Sequence, residues 1–170
     1  GVSWEACHGP GAAHVERHRD PIARYMQHAS KLPDPTIVHP GRLSPERSAA
    51  VCGQCHAYAF PRDEEGWWTD GYSRTFRAGD ALEPSRTLIS PATMAGQAGA
   101  PVIDAPATAI FWPDGAVRVG GREYNGLVAS PCYEHGEGER KMTCLSCHSM
   151  HGAASPAGQI APDRTGDRGC

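Results

Sequence analysis

The chain has 170 residues, a formal net charge of −3, and 39% hydrophobic but only 7% aromatic residues. Its length suits about one domain, its interspersed charges form no basic stripe for nucleic acid, and no apolar run approaches the roughly 20 residues of a membrane span. Gly contributes 20 residues and Pro 15, while seven Cys and nine His stand out. This composition predicts a thin aliphatic core supplemented by metal or haem sites.

Residues 1–60 contain two predicted helices. Asp20, followed by proline, predicts a helix that begins at the next residue and is stopped by Pro33. Ser44, also followed by proline, predicts a second helix that ends near His56. Because Asp and Ser cap helix N-termini and proline suits the first helical position, both starting points follow directly from the sequence.

Residues 61–131 contain neither Cys nor His. The segment TAIFW, PDG, AVRVGG, REYNGL predicts a β-hairpin. The aromatic residues here are expected to form small local cores, with packing against a porphyrin as the alternative. They are Trp67, Trp68, Tyr72, Phe111, Trp112 and Tyr124.

Residues 132–170 return to Cys and His, and ERKMTCLSCHSMHG predicts a short helix or turn that Gly152 ends. The predicted fold is therefore mainly α plus irregular structure, with short helices that carry Cys/His motifs, long loops and one small β-hairpin. We expect residues 1–60 and 132–170 to be haem-binding segments and residues 61–131 to be a haem-free spacer. All three are expected to be parts of one multihaem domain.

Two complete Cys-x-x-Cys-His motifs carry the strongest chemical signal. Two thiols about one helical turn apart can reach the two vinyl groups on one porphyrin edge, and the imidazole that follows can bind the iron. The motifs are Cys52, Cys55 and His56, and Cys144, Cys147 and His148. They predict two haem c groups, with a haem-free four-Cys zinc site as the alternative.

A degenerate third motif stands at the start of the chain, where Trp4 occupies the position of the first Cys before Cys7 and His8. Two outcomes are open. Either Cys7 holds a haem through one thioether with His8 on the iron, or the site is empty and Cys7 is free for another thiol such as Cys132. Cys170, at the end of the sequence, could be the first cysteine of a further motif and so of a fourth haem site.

Other histidines are candidate axial ligands on the far side of an iron. His151 follows His148 by about one turn, so it cannot reach the opposite face of the same iron and would serve a neighbouring haem. His14 follows His8 through a Gly-Pro-Gly turn, and we expect the same of it. Two further candidates are His39, before the second predicted helix, and His18, on the same helical face as His14.

The stretches CHGPGAAHV, LSPERSAAVCGQCH, FWPDGAVRVGGREYNG and KMTCLSCHSMH resemble the multihaem c-type cytochromes of bacteria. The resemblance is to the broad group that includes the nitrifiers' tetrahaem cytochrome and the octahaem hydroxylamine-oxidoreductase-like proteins. It implies that His14 and His151 are distal ligands of neighbouring haems. It also implies a periplasmic or extracellular location and an internal fragment of a larger multihaem protein.

The expected function is electron transfer through covalently bound, mostly bis-His haems, which makes the chain an electron carrier more than a catalyst. The expected partners are redox proteins or other haem segments of the same protein. The alternative is a haem-dependent oxidoreductase that acts on a small nitrogen or sulfur species at an open iron coordination site.

Overall fold

The computed structural model describes residues 3–70, 75–94, 106–118, 120, 122–153 and 159–165. Tyr72 and Cys170 lie outside these described residues. The described part of the chain is mainly helical, with loops and one two-stranded antiparallel sheet. The coarse prediction of a mainly α chain with irregular segments and a small β element is confirmed.

The described elements are short, and their bounds follow in chain order. The helices are α1 (Trp4–His8), α2 (Ala12–Arg17), α3 (Pro21–Ser30), α4 (Pro45–His56), α5 (Glu64–Asp70), α6 (Pro91–Met94), α7 (Glu123–Val128) and α8 (Pro131–Glu134). Single 3₁₀ turns occur at Pro40–Arg42, Ala107–Ala109, Gly138–Arg140, Cys144–Ser146 and Pro162–Arg164. The sheet pairs β1 (Ala59–Pro61) with β2 (Arg86–Leu88).

Both helices predicted from residues 1–60 are confirmed as α3 and α4. The Asp20 side chain accepts a hydrogen bond of 2.8 Å from the Ile22 amide, and Ser44 accepts one from the Arg47 amide. These bonds satisfy amides at the helix start that have no partner within the helix. α3 ends before Pro33, where Lys31 adopts a left-handed conformation with φ of 56°.

The predicted hairpin is confirmed only at its turn. Phe111 and Val117 form an antiparallel bridge around the PDG turn, in which Gly115 has a φ of 87°. The REYNGL segment, which the prediction included in the hairpin, instead forms α7. The two-stranded sheet lies elsewhere, between β1 and β2, and the sequence did not predict it. The prediction was therefore wrong about the extent of the hairpin.

The core lies around α4 and is small. One buried cluster consists of Ala49, Ala50, Phe76, Leu82 and Tyr124. A Cβ added to Gly53 would lie 2.7 Å from Tyr124 Cδ2, so the Tyr124 ring packs directly on the backbone of α4. A second cluster, beside β2, consists of Ile89, Ile110 and Phe111. By contrast, α1, α2 and α3 contain no buried residue.

The predicted aromatic cores are confirmed in part. Tyr124 and Phe111 are buried, as expected. Trp68 and Trp112 remain 77% and 52% exposed, so the prediction was wrong for these two. The Trp112 ring instead lies under the guanidinium of the half-buried Arg118, at 4.1 Å. No helix in the described part of the chain is long and apolar enough to cross a membrane.

Candidate functional site

Helix α4 brings the three Cys/His motifs together, because α1 and the Cys144–Ser146 turn both pack against it. Gln54, which lies between the two cysteines of the α4 motif, makes one of these connections with its side-chain amide. Its Nε2 donates to the Ala6 carbonyl at 2.7 Å and to the Val51 carbonyl at 2.7 Å. The degenerate motif on α1 is therefore tied to a complete motif on α4.

The cysteine sulfurs of the three motifs are neighbours. The Cys52 thiol donates a hydrogen bond to Cys144; this bond and burial raise the pKa of Cys52, and accepting the bond lowers the pKa of Cys144. Burial and the nearby Cys52 and Cys55 thiols raise the pKa of Cys7. All six described cysteines are free thiols, so Cys7 and Cys132 form no disulfide in this structure.

The four cysteines of the complete motifs do not form a zinc-binding tetrahedron. Tetrahedral zinc, with Zn–S bonds of about 2.3 Å, holds its sulfurs roughly 4 Å apart. Within the described ranges, the one group of three His, Cys, Asp or Glu ligand atoms that lie within 4.8 Å of one another is His14, His18 and Asp34. The geometry therefore gives the four-Cys alternative no support.

His8 has a defined tautomer. Its Nδ1 lies 2.7 Å from the Val38 carbonyl oxygen, and the Val38 amide donates to the His8 carbonyl at 2.9 Å. Because a carbonyl only accepts, the proton must be on Nδ1, and Nε2 keeps its lone pair. Histidines that bind metals typically have their other nitrogen fixed in this way.

The His8 and His151 rings are stacked neighbours. Their ring centres are 5.9 Å apart, and the ring planes are within 21° of parallel. Trp4 packs on the His8 ring as well, at 4.9 Å and 23°.

His56 is oriented by a residue from the other side of the core. Its Nδ1 lies 3.0 Å from Glu123 Oε2, and the two side chains are 60% and 50% exposed. Such an exposed pair adds little stability. It does direct Nδ1 toward the carboxylate, as is typical of histidines that bind a metal through Nε2. Glu123 begins α7, which packs on α4, so the fold itself places the carboxylate.

The motif that begins at Cys144 has a histidine from a distant part of the sequence beside it. A Cβ on Gly41 would lie 3.4 Å from His39 Cε1 and 3.8 Å from Leu145 Cδ1, so the His39 ring neighbours the CLSCH turn. His148 is exposed, and its backbone pairs with Ile160 in an antiparallel bridge. The structure thus brings His39 to the Cys144 motif, a placement that its position in the sequence did not predict.

His14 and His18 converge on Asp34. His14 Nδ1 lies 3.1 Å from Asp34 Oδ2, and His18 Nε2 is hydrogen-bonded to the same oxygen. The other oxygen accepts from the Thr36 amide at 2.8 Å and from the Thr36 hydroxyl. Burial alone would raise the pKa of Asp34, but the bonds from Thr36 and both histidines outweigh burial and hold it well below its usual range.

The sequence identified the histidines but not their partners. Val38, Glu123 and Asp34 hold His8, His56 and His14, and each lies 20 or more residues from its histidine along the chain. His14 and His18, four residues apart on one helical face, were a signal for a nearby acidic partner. Nothing in the sequence indicated which carboxylate would fill that place.

Comparison of the chain with protein families, curated proteins and solved structures found no match. The functional conclusion therefore depends on the residues themselves. Those residues are two complete Cys-x-x-Cys-His motifs, together with His8 and His56, whose Nδ1 atoms are held by Val38 and Glu123.

Proposed function

We propose that this chain is an electron-transfer segment of a multihaem c-type cytochrome, as its motifs and their resemblance to that family predict. Haem c is attached at Cys52 and Cys55, at Cys144 and Cys147, and through a single thioether at Cys7. A bound haem supplies an iron that accepts and releases one electron. The observation that carries the proposal is the packing of all three Cys/His motifs at α4, which also makes the His8 and His151 rings neighbours at 5.9 Å.

In this proposal His8 and His151 would be the two histidines that hold one haem iron. His8 Nδ1 is already bonded to the Val38 carbonyl, so its Nε2 is available without any change of tautomer. His151 belongs to the CHSMH segment of another motif, as expected of a residue that cannot reach the iron held by His148. Two imidazole ligands leave no open coordination position, which suits electron transfer better than substrate binding.

The chain also places the attachment points of different haems close together. The hydrogen bond between Cys52 and Cys144 joins two motifs, and Gln54 links α4 to the backbone beside Cys7. Neighbouring thioether bonds would bring the edges of the attached groups near one another. This arrangement supports electron transfer between haems within the chain.

The first test is the number and spin state of the haems after expression with a c-type maturation system. Intact mass should show three haems per chain, and the visible spectrum should be low-spin. His151→Ala should turn one haem high-spin without changing the mass contributed by haem. His135→Ala, at an exposed histidine outside the proposed ligands, is the matched control. A chain without haem, or unchanged spectra for both His8→Ala and His151→Ala, would contradict the proposal.

Trp4→Cys tests the third site specifically, because it completes the Cys-x-x-Cys-His motif. The haem count should stay at three, while the haemochrome band of one haem should shift to the position of a haem with two thioethers. If the count instead rises from two to three, Cys7 does not hold haem in the natural chain. The two complete motifs would then remain as the haem sites.

The proposal includes a location and a partner class. Covalent haem attachment takes place outside the cytoplasm in the proteins that this chain resembles, so we infer a periplasmic or extracellular location. Its partners would be redox proteins or further haem segments. Carbon monoxide binding to the reduced protein would instead favour the alternative, a haem-dependent oxidoreductase with an open iron.

A further inference from the structure

We propose that His14, His18 and Asp34 form a binding site for one divalent cation, with Zn²⁺ as the best match, separate from the haem sites. Their three ligand atoms lie within 4.8 Å of one another. Two imidazole nitrogens and one carboxylate oxygen make up a donor set that zinc commonly accepts, with water as the fourth ligand. His14, which the sequence predicted as a haem ligand, would instead bind this cation.

The two histidines reach the same point because of their spacing. Residues four apart on a helix lie on one face, and α2 with its C-terminal cap places His14 and His18 there. Both point at one oxygen of Asp34. His18 and Asp34 are mostly shielded, with 13% and 11% of their side chains exposed, whereas His14 is 32% exposed. The partial exposure of His14 leaves an entry path for the ion.

Asp34 is held in place before any ion arrives. Thr36 donates twice to Oδ1, so the carboxylate cannot rotate freely, and Oδ2 is left for the histidines. The carboxyl is ionised at neutral pH because these bonds hold its pKa well below the usual range despite burial. On binding, two nitrogen–metal bonds and one oxygen–metal bond replace the imidazole–carboxylate hydrogen bonds. Each histidine would bind as a neutral imidazole with its proton on the other ring nitrogen, Nε2 of His14 and Nδ1 of His18, and a second proton on either ring would be released to solvent.

The site lies where the fold has the least other support. Helices α1, α2 and α3 bury no residue, so this part of the chain lacks a hydrophobic core of its own. A cation shared by His14 and Asp34 would link α2 to the segment after α3, across 20 positions of the chain. Structural metal sites stabilise small units in this way.

Zn²⁺ titration of the haem-loaded protein tests the proposal, after treatment with a chelator and without a histidine tag. Covalently attached haem occupies the cysteines of the motifs, so they do not compete. One equivalent of Zn²⁺ should bind per chain. Asp34→Asn and His18→Ala should each weaken binding by more than about 100-fold, since even indirect partners of a metal contribute about 10- to 100-fold. His28→Ala, at an exposed histidine on α3, should bind as the natural chain does.

His14→Ala separates this proposal from a haem-ligand role for the same residue. The variant should lose Zn²⁺ while its low-spin haem spectrum stays unchanged. If it keeps Zn²⁺ or gains a high-spin haem, His14 does not serve the proposed site. Absence of stoichiometric Zn²⁺ in the natural chain, or unchanged binding by both Asp34→Asn and His18→Ala, would equally overturn the proposal. These measurements use the haem-loaded chain, but they do not require that its haems transfer electrons.

Discussion

The Asn125 side chain hydrogen-bonds the main chain beside both strands of the sheet, and its loss should lower the stability of the fold. Its Oδ1 accepts from the Tyr58 amide at 2.7 Å, and its Nδ2 donates to the carbonyls of Tyr58 at 3.0 Å and Ile89 at 2.9 Å. The residue is only 6% exposed. Through these bonds α7 is joined both to the segment after α4 and to the end of β2. Asn125→Leu would keep the branching at Cγ and the number of side-chain heavy atoms, and would remove all three bonds.

The expected cost follows from the groups that lose their partners. The Tyr58 carbonyl keeps a bond of 3.0 Å from the Ile89 amide, so the Tyr58 amide and the Ile89 carbonyl are the two groups affected. A buried polar group without a partner costs about 1–3 kcal/mol. Because Tyr58 is only half-buried, we expect Asn125→Leu to lower the free energy of unfolding by about 2–4 kcal/mol.

Urea unfolding of the haem-loaded protein measures this difference. With an m-value of about 1–3 kcal/mol per molar urea, the midpoint should fall by roughly 1–2 M while m stays constant. Gln27→Leu is the matched control, because the exposed Gln27 amide also donates to a backbone carbonyl, that of Leu32, at 2.8 Å. The control should change stability by no more than about 0.5 kcal/mol. Equal midpoints for the two variants would refute the reasoning.

Three further changes test the packing, the helix start and the histidine environment. Gly53→Ala places a Cβ 2.7 Å from the buried Tyr124 ring. The overpacking should lower the free energy of unfolding by about 1–3 kcal/mol, partly offset by the better helix propensity of Ala. An unchanged thermal midpoint would show that the ring can move aside. Ser44→Ala removes the side-chain cap of α4 and should cost about 1 kcal/mol in urea unfolding; no loss would mean that Pro45 alone fixes the helix start. Glu123→Gln removes the negative charge beside His56 Nδ1 and should raise the reduction potential of one haem in a spectroelectrochemical titration; an unchanged potential would contradict a role for this carboxylate.

The sequence predicted structure well where the controlling interactions are local. Asp20 and Ser44 act on amides two and three residues away, so their helices could be located without any tertiary information. β1 and β2 could not, because each has three residues and their pairing joins segments about 27 positions apart. In the REYNGL segment the sequence predicted part of a β-hairpin where the structure has a helix. Its apolar residues favour a strand, but the contacts of Tyr124 with α4 stabilise a helix instead.

In the candidate site too, the sequence predicts the local features but not the contacts between distant segments. A Cys-x-x-Cys-His motif is a local pattern, and the sequence is sufficient to recognise it. The pairing of His8 with His151 and the convergence of His14 on Asp34 depend on how distant segments meet. Sequence reasoning excluded His151 as a ligand of any iron that His148 would hold, but only the folded chain shows that the His151 ring lies beside His8.

The bond between His8 and Val38 has a consequence for how this site can change during evolution. Both contacts use the main chain of residue 38, through its amide and its carbonyl. Every residue type except proline supplies the same two groups. Position 38 can therefore vary widely in related proteins while it continues to fix the tautomer of His8. Variation there would hide a residue whose main chain holds the His8 ring.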